Sequence, residues 1–212
     1  MKVEDVMTRD VITVRPETSL KEVASILAGK GISGVPVVNE ASGLVGVVSE
    51  GDILFKERPP SSRRRPLAWL LDPYEMEGQL KLEARTAEEA MTSPAKTIAP
   101  DRVVGAAAAM MVEAGVNRLP VVDADGRLVG IVTRADLVRA FIRPDEAIER
   151  EIKQDLLQTL WIDPGHLSIA VENGDVRLGG KVDTRDQAEL VTRLVQSIPG
   201  VVSVDSQLTA PG

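Results

Sequence analysis

The sequence of 212 residues contains no cysteine and a single histidine, His166. The absence of cysteine excludes disulfides, thiolate metal sites and cysteine nucleophiles. A lone histidine after Pro164-Gly165 is typical of a loop, and the sequence has no Ser-His-Asp pattern, phosphate loop or metal-ligand spacing. We therefore predict no catalytic residue, no metal site and no required cofactor, and we rank an enzyme last among the function classes.

Aromatic residues make up only 2% of the chain, so we predict aliphatic cores and little ring surface for stacking bases. The 32 acidic residues outnumber the 25 basic ones, which gives a formal net charge of −7. A chain of this charge is poorly suited to general binding of nucleic acid, and we expect no nucleic-acid partner.

Long apolar runs are also missing. None approaches the roughly 18 residues that a membrane-spanning helix needs, and charged residues occur within the first five positions. We expect a cytoplasmic location.

What the chain does contain is an internal repeat with a constant spacing of 84 residues and no gap. Equivalent positions carry the same residues, as in Met7 and Met91, Gly31 and Gly115, Pro36 and Pro120, and Asp52 and Asp136. Two gapless copies at one spacing indicate two copies of one supersecondary unit.

Each copy is predicted to fold as β-α-β-β-α. In the first copy we predict strands at 11–14, 34–38 and 44–48, a helix at 19–29 opened by a Ser19/Glu22 capping box, and a helix from Glu50. In the second copy we predict strands at 96–98, 118–122 and 128–132, a helix capped by Asp101 and ending near 114, and a helix from Arg134. Gly31 and Gly115 are predicted to end the first helix of each copy in a left-handed conformation.

The remaining segments match neither copy. Residues 57–83, with prolines, serines and Arg63-Arg64-Arg65, are predicted to form an exposed linker, and phosphate contact by the arginines is the alternative. Residues 144–209 predict an α-β-β-α-β domain with a helix at 145–159, a hairpin at Asn173-Gly174 and a cap at Thr184. Trp69 and Trp161 are predicted to be packing residues, with anchoring of a partner as the alternative.

The two copies, at 1–56 and 84–142, resemble the CBS-domain family, whose members occur as tandem pairs. The run from Gly46 to Asp52 and the run from Gly130 to Asp136 both fit the family's G-x-x-[ST]-x-x-D nucleotide-binding pattern. Residues 171–180 and 200–204 resemble a BON domain. The fold implied is α+β, with two β-α-β-β-α CBS-type repeats packed as a pair and a small BON-like domain.

The carboxylates of Asp52 and Asp136 suit the ribose of an adenosine, because a carboxylate accepts hydrogen bonds from two vicinal hydroxyls at once. Ser49 and Thr133, three residues earlier, are expected at the same strand–helix junctions. The alternative interpretation is that these four residues are only helix caps. The resemblance implies further base-wall residues, which are Thr13, Val14, Ile32, Gly34, Val35 and Pro36 in the first copy and Thr97, Ile98, Val116, Arg118, Leu119 and Pro120 in the second.

The copies differ in charge where a phosphate would lie. The second has Arg118 and Arg134, and the first has Gly34 and Glu50 at the equivalent positions. We therefore expect the Asp136 site to bind AMP, ADP or ATP more tightly than the Asp52 site.

The resemblance implies a regulatory module that binds an adenine nucleotide between the repeats and relays its state to the BON-like domain or to a partner. S-adenosylmethionine and NAD are the alternative ligands. Tandem CBS pairs usually dimerise, so a homodimer is expected. The competing hypothesis is a nucleotide-independent dimerisation scaffold whose BON-like domain binds phospholipid or a protein partner.

Overall fold

The computed structural model describes residues 1–56, 84–157 and 160–211, so the predicted linker at 57–83, with Arg63-Arg64-Arg65 and Trp69, lies outside the described residues. The elements of the repeats follow in chain order: α1 (Leu20–Lys30), β1 (Gly34–Val38), β2 (Leu44–Ser49), α2 (Glu50–Lys56), α3 (Ala87–Ala90), α4 (Val104–Glu113), β3 (Arg118–Val122), β4 (Leu128–Thr133) and α5 (Arg134–Phe141). The elements of the carboxyl-terminal part are α6 (Asp145–Arg150), β5 (Leu167–Glu172), β6 (Asp175–Lys181), α7 (Arg185–Gln196) and β7 (Ser203–Thr209).

These elements belong to two compact units that do not coincide with the repeats. We call one the first-repeat unit, because it contains most of the first repeat; it comprises Thr8–Pro100 and Leu119–Ile131. We call the other the BON unit, because it contains the residues that resemble a BON domain; it comprises Met1–Met7, Asp101–Arg118 and Val132–Gly212.

In the first-repeat unit, β1 and β2 pair as an antiparallel hairpin in which Gly34 lies opposite Ser49. Helix α1 is capped by Ser19, whose side chain accepts a hydrogen bond from the Glu22 amide, and it ends at Gly31 with a φ of 62°. The cap by Ser19 and the left-handed Gly31 were predicted from local residue chemistry and are confirmed, while the return bond from Glu22 that would complete the predicted capping box is not formed at this helix start. The core of this unit is aliphatic, as predicted, and consists of Val14, Leu20, Val23, Leu27, Val35, Val37, Val48, Ala84, Ala87 and Ala90.

The predicted strands at 11–14 and 96–98 are shorter than expected. Only Val14 and Ile98 make β-bridges, parallel to Val37 and Val121. The reason is that each of these residues makes one amide and one carbonyl hydrogen bond across to its partner segment, and the ladder does not extend beyond that single position.

In the BON unit, the prediction that Asp101 caps α4 is wrong. The cap position is Val103, which lies 84 residues after Ser19 and has no polar side-chain atom. The backbone of the first residues takes over part of the capping, since the Val104 amide donates to the Met1 carbonyl at 3.3 Å. A long-range backbone contact thus replaces the local side chain.

The carboxyl-terminal part of this unit is a three-stranded sheet in the order β5-β6-β7, with β6 antiparallel to β5 and parallel to β7. Asn173 and Gly174 both have positive φ, at 53° and 80°, which confirms the predicted two-residue hairpin. The core lies between this sheet and the helices, and includes Ile148, Ile152, Leu157, Ile169, Val176, Leu178, Val191, Val195 and Ile198.

Two predictions for this part need correction. The helix predicted at 145–159 is α-helical only over Asp145–Arg150, and Glu151–Leu156 continues with π-helical hydrogen bonds. Trp161 is almost fully exposed and has a φ of 56°, so the prediction that it packs is wrong. The left-handed backbone at this position directs the ring to solvent instead of the aliphatic core.

Candidate functional site

In the first repeat, the candidate ribose carboxylate is fixed where β2 passes into α2. The backbone amide and the hydroxyl of Ser49 each donate to Asp52 Oδ2, both at 2.8 Å. Asp52 is buried, with 9% of its surface exposed. The three-residue spacing of the motif across the strand–helix junction therefore brings the side chains of Ser49 and Asp52 into direct contact.

The residues predicted to wall this site lie along β1 and the segment beside it. Gly34 pairs with Ser49 across the hairpin, and the Val14 amide donates to the Pro36 carbonyl at 3.1 Å. Val14 and Val35 are buried in the core, Ile32 is half-buried, and Thr13 is exposed. The first repeat thus brings Val14, Gly34, Pro36, Ser49 and Asp52 together within one compact unit.

In the second repeat, Thr133 and Asp136 form a complete capping box at the start of α5. Asp136 Oδ2 accepts from the Thr133 amide at 2.8 Å and from its hydroxyl at 2.7 Å, and the Asp136 amide donates back to Thr133 Oγ1 at 3.3 Å. Only 5% of the Asp136 surface is exposed. The two copies thus place their carboxylates identically, as the 84-residue offset predicts.

The other candidates of the second repeat divide between the two units. In the first-repeat unit, the Ile98 amide donates to the Pro120 carbonyl at 3.1 Å, Leu119 is fully buried and Thr97 is half-buried. In the BON unit, Arg118 is buried and Val116 half-buried, and exposed Arg134 donates its amide to the Asn117 carbonyl at 3.1 Å.

Sequence reasoning missed one residue of this site. Arg139, one turn further along α5, forms a salt bridge with Asp136 Oδ1. The signal was present in the i,i+3 spacing of an arginine after an aspartate on a predicted helix. The equivalent residue of the first repeat is Phe55, so that copy has no arginine at this position.

A second polar cluster joins the end of α5 to the helices and sheet of the BON unit. Arg143 Nη1 lies 2.6 Å from Glu151 Oε2, and Glu151 Oε1 lies 3.1 Å from the Met1 nitrogen. Partial burial raises the pKa of the Glu151 carboxyl, but the hydrogen bonds and positive charges of Arg143 and Met1 lower it more. The net pKa therefore lies below the ordinary value of 4.5, and the carboxylate stays ionised.

The same junction is tied to the hairpin turn. Both oxygens of Asp145 accept backbone hydrogen bonds, from Asn173 at 2.7 Å and from Gly174 at 2.9 Å. Arg143 also reaches the Pro199 carbonyl at 3.4 Å. The segment after α5 is thus fixed to the sheet by charged side chains.

Other site types find little support in the part of the chain that the structure describes. Over residues 1–56, 84–157 and 160–211, no three His, Asp or Glu side chains cluster in a way that could hold a metal ion. His166 is exposed in a short 3₁₀ turn, with its Nδ1 3.8 Å from Asp163 Oδ2. Among these same residues, no helix has the length and apolarity to span a bilayer.

Comparison with known proteins assigns both parts of the chain. The sequence model of the CBS domain matches residues 3–57 and 87–143, and that of the BON domain matches residues 144–212. An uncharacterized protein of Methanocaldococcus jannaschii is 34% identical in an alignment 155 residues long that covers 67% of this chain and 92% of that protein.

Two solved structures are similar over the CBS repeats. CBSX2 in complex with AMP is 32% identical, with a TM-score of 0.58 over 66% of this chain and 94% of that one; CBSX2 is an Arabidopsis thaliana protein. The CBS domain pair of protein MJ0100, in complex with 5′-methylthioadenosine and S-adenosyl-L-methionine, is 30% identical, with a TM-score of 0.51 over 66% of this chain and 95% of that one. The chain therefore belongs to the CBS-domain family, with tandem CBS repeats followed by a BON domain.

Proposed function

We propose that this protein is a non-enzymatic regulatory module that binds an adenine nucleotide, or another adenosyl ligand, through the carboxylates of Asp52 and Asp136. The observation that supports this most directly is the duplicated junction, in which a buried carboxylate is held by a serine or threonine at the start of a helix. Similar CBS pairs bind AMP, 5′-methylthioadenosine and S-adenosyl-L-methionine, and all three ligands carry a ribose with two vicinal hydroxyls.

Capping and ribose binding are compatible uses of one carboxylate. A carboxylate offers about four lone-pair positions, and the cap uses only Oδ2 of each aspartate for the serine or threonine. The helix cap holds the group in one orientation, so less conformational entropy is lost when a ligand binds.

The difference in charge between the copies favours the second for nucleotides with phosphate. Arg118 and Arg134 belong to the second repeat, and Glu50 takes the place of Arg134 in the first. A carboxylate near a phosphate is repulsive and an arginine is attractive. We propose that AMP, ADP or ATP binds more tightly through Asp136, and that the Asp52 site prefers a ligand with less negative charge.

Calorimetric titration of the full chain tests the proposal. Asp136→Asn removes the charge but keeps the side-chain shape, and should weaken AMP binding about tenfold or more, since it removes charge-assisted hydrogen bonds. Asp52→Asn should have a smaller effect on AMP, and 2′-deoxy-AMP should bind weakly to the wild type because one hydroxyl is missing.

The control is Asp125→Asn. Asp125 is an exposed turn residue whose carboxylate pairs with Arg127. Equal losses from Asp52→Asn and Asp136→Asn would reject the difference between the sites. Unchanged affinity in both variants would reject ribose binding by these carboxylates.

The junction after α5 supports a relay to the BON domain. Asp136 opens α5, and the segment that leaves this helix is bonded to the BON domain through Arg143 and Asp145. A ligand that shifts α5 would therefore move groups that contact the BON domain. Such coupling requires that the ligand bind one arrangement more tightly than the other.

A scaffold is the second candidate, and it is favoured by the observation that both carboxylates already serve as helix caps. In that case the CBS pair only dimerises and the BON domain binds phospholipid or a protein. Flotation with liposomes, with and without ATP, separates the two: lipid binding that ATP leaves unchanged favours the scaffold.

A further inference from the structure

We propose that Arg139 gates the Asp136 carboxylate, so that Arg139 and the ribose of an adenosyl ligand compete for the same oxygen. This inference rests on the proposed function, because it assigns a regulator to one of the two ribose sites. It makes Arg139 a residue that sets the affinity of the second repeat for a ribose.

The two carboxylate oxygens of Asp136 accept from different donors. Oδ2 accepts both the amide and the hydroxyl of Thr133, and these bonds also hold the start of α5. Oδ1 is the oxygen to which Arg139 donates. Three of the roughly four lone-pair positions of the carboxylate are thus in use, and the two vicinal hydroxyls of a ribose need two, so they bind together only if Arg139 leaves or the helix cap opens.

Displacing Arg139 is the easier of these two changes. The Arg139 side chain is 72% exposed, while Asp136 is 5% exposed. An exposed arginine regains water when it leaves its partner, and salt screens the attraction that it gives up. The buried carboxylate cannot move to the ligand, so the arginine is the part that moves.

The gate is encoded in only one of the two copies. The first repeat has Phe55 at the position equivalent to Arg139, and a phenylalanine carries no charge with which to compete. The two repeats thus differ in the residue that lies one turn after the aspartate.

The test uses an uncharged ligand, 5′-methylthioadenosine, so that no phosphate interacts with the arginines. Every full-length protein in this test carries Asp52→Asn, so that only the second site is titrated, and "wild type" below means the chain with that single change. This wild type, Arg139→Gln, Arg139→Lys and Asp136→Asn are titrated by calorimetry at low and at high salt. Arg139→Gln should bind about two- to fivefold more tightly than wild type at low salt, the range expected for losing an exposed ionic competitor. The affinity of Arg139→Lys should lie between those of wild type and Arg139→Gln.

Salt gives a second signature. Wild-type affinity should rise with added salt, because salt weakens the Arg139–Asp136 pair, while the affinity of Arg139→Gln should stay constant. The control is Arg177→Gln, whose side chain is 70% exposed and faces the carboxylate of Glu172 at 3.9 Å on the sheet. It should behave as wild type at both salt concentrations.

The outcomes separate the two proposals. If Asp136→Asn weakens binding but Arg139→Gln leaves it unchanged or weaker, the gate is overturned and the ribose site stands. If the ligand does not bind, or Asp136→Asn binds as wild type, the ribose site fails and the gate fails with it.

Discussion

Asp52 and Asp136 show how one side chain links fold and function at the scale of the residue. Each is buried and bonded to the hydroxyl three residues earlier, and each is also the acceptor that we propose for a ribose. Substitution by alanine would therefore remove a cap and a binding group together. Asparagine is the better probe, because it retains the size of the side chain and part of its hydrogen bonding.

Glu151 carries a prediction about pH at the same scale. Its lowered pKa means that ionised Glu151 stabilises the folded state above the ordinary value of 4.5. As pH falls through the folded-state pKa, the carboxylate is protonated and this stabilisation is lost. Urea unfolding should show a smaller loss of stability on acidification in Glu151→Gln than in wild type, most clearly below pH 4.5.

The matched control is Glu189→Gln, which changes an exposed glutamate on α7. When the pH is lowered, Glu189→Gln should lose as much free energy of unfolding as wild type. An identical pH dependence in wild type and Glu151→Gln would show that the contacts with Arg143 and Met1 do not stabilise the fold.

At the scale of the element, Asp145 joins the first turn of α6 to the hairpin between β5 and β6. Asp145→Ala should lower the free energy of unfolding by about 1–2 kcal/mol, because it removes two hydrogen bonds to a charged acceptor. Glu146→Ala is the control, since it removes an exposed acid from the same helical turn. Equal losses of stability in the two variants would assign the effect to helix charge instead of the turn.

Local chemistry explains why many elements could be predicted. Gly31, Gly115 and Asn173-Gly174 have the left-handed backbone that their residue types favour, and β1 to α2 begin within a residue of the predicted positions. The duplication also helped, because each boundary was visible twice in the sequence.

What could not be predicted depends on long-range contacts. The start of α4 at Val103 follows the 84-residue offset from Ser19, which the prediction of Asp101 as the cap overlooked. The bond from the Val104 amide to the Met1 carbonyl, by contrast, has no local signal in the sequence. The salt bridge between Arg139 and Asp136 has a spacing that fits a helix, yet on sequence alone an exposed arginine is typical of a solvated face. The exposure of Trp161 likewise depends on its left-handed backbone.

At the scale of the whole molecule, the two compact units do not follow the repeats. Asp136 and α5 belong to the unit that contains the BON domain, and Asp52 belongs to the other. If a ligand acts on the BON domain, the shortest covalent and hydrogen-bonded route therefore begins at the second repeat. We therefore propose that a relay to the BON domain, if there is one, starts at Asp136 and not at Asp52.

The same helix also carries the feature from which we expect homodimerisation. Val138 and Phe141 lie on one face of α5 by their i, i+3 spacing, Ile142 follows at the C-cap, and all three are exposed. Val138→Glu should raise the dimer dissociation constant at least about tenfold, because burying an unpaired carboxylate in an apolar interface is costly.

Val202→Glu is the control: Val138 is 59% exposed and Val202 60%, so the same substitution is made at nearly equal exposure away from α5. In analytical ultracentrifugation, Val138→Glu should sediment as a monomer at concentrations where wild type and Val202→Glu are dimers. Dimers of equal strength in all three would place the interface elsewhere, and a monomeric wild type would contradict the expected homodimer.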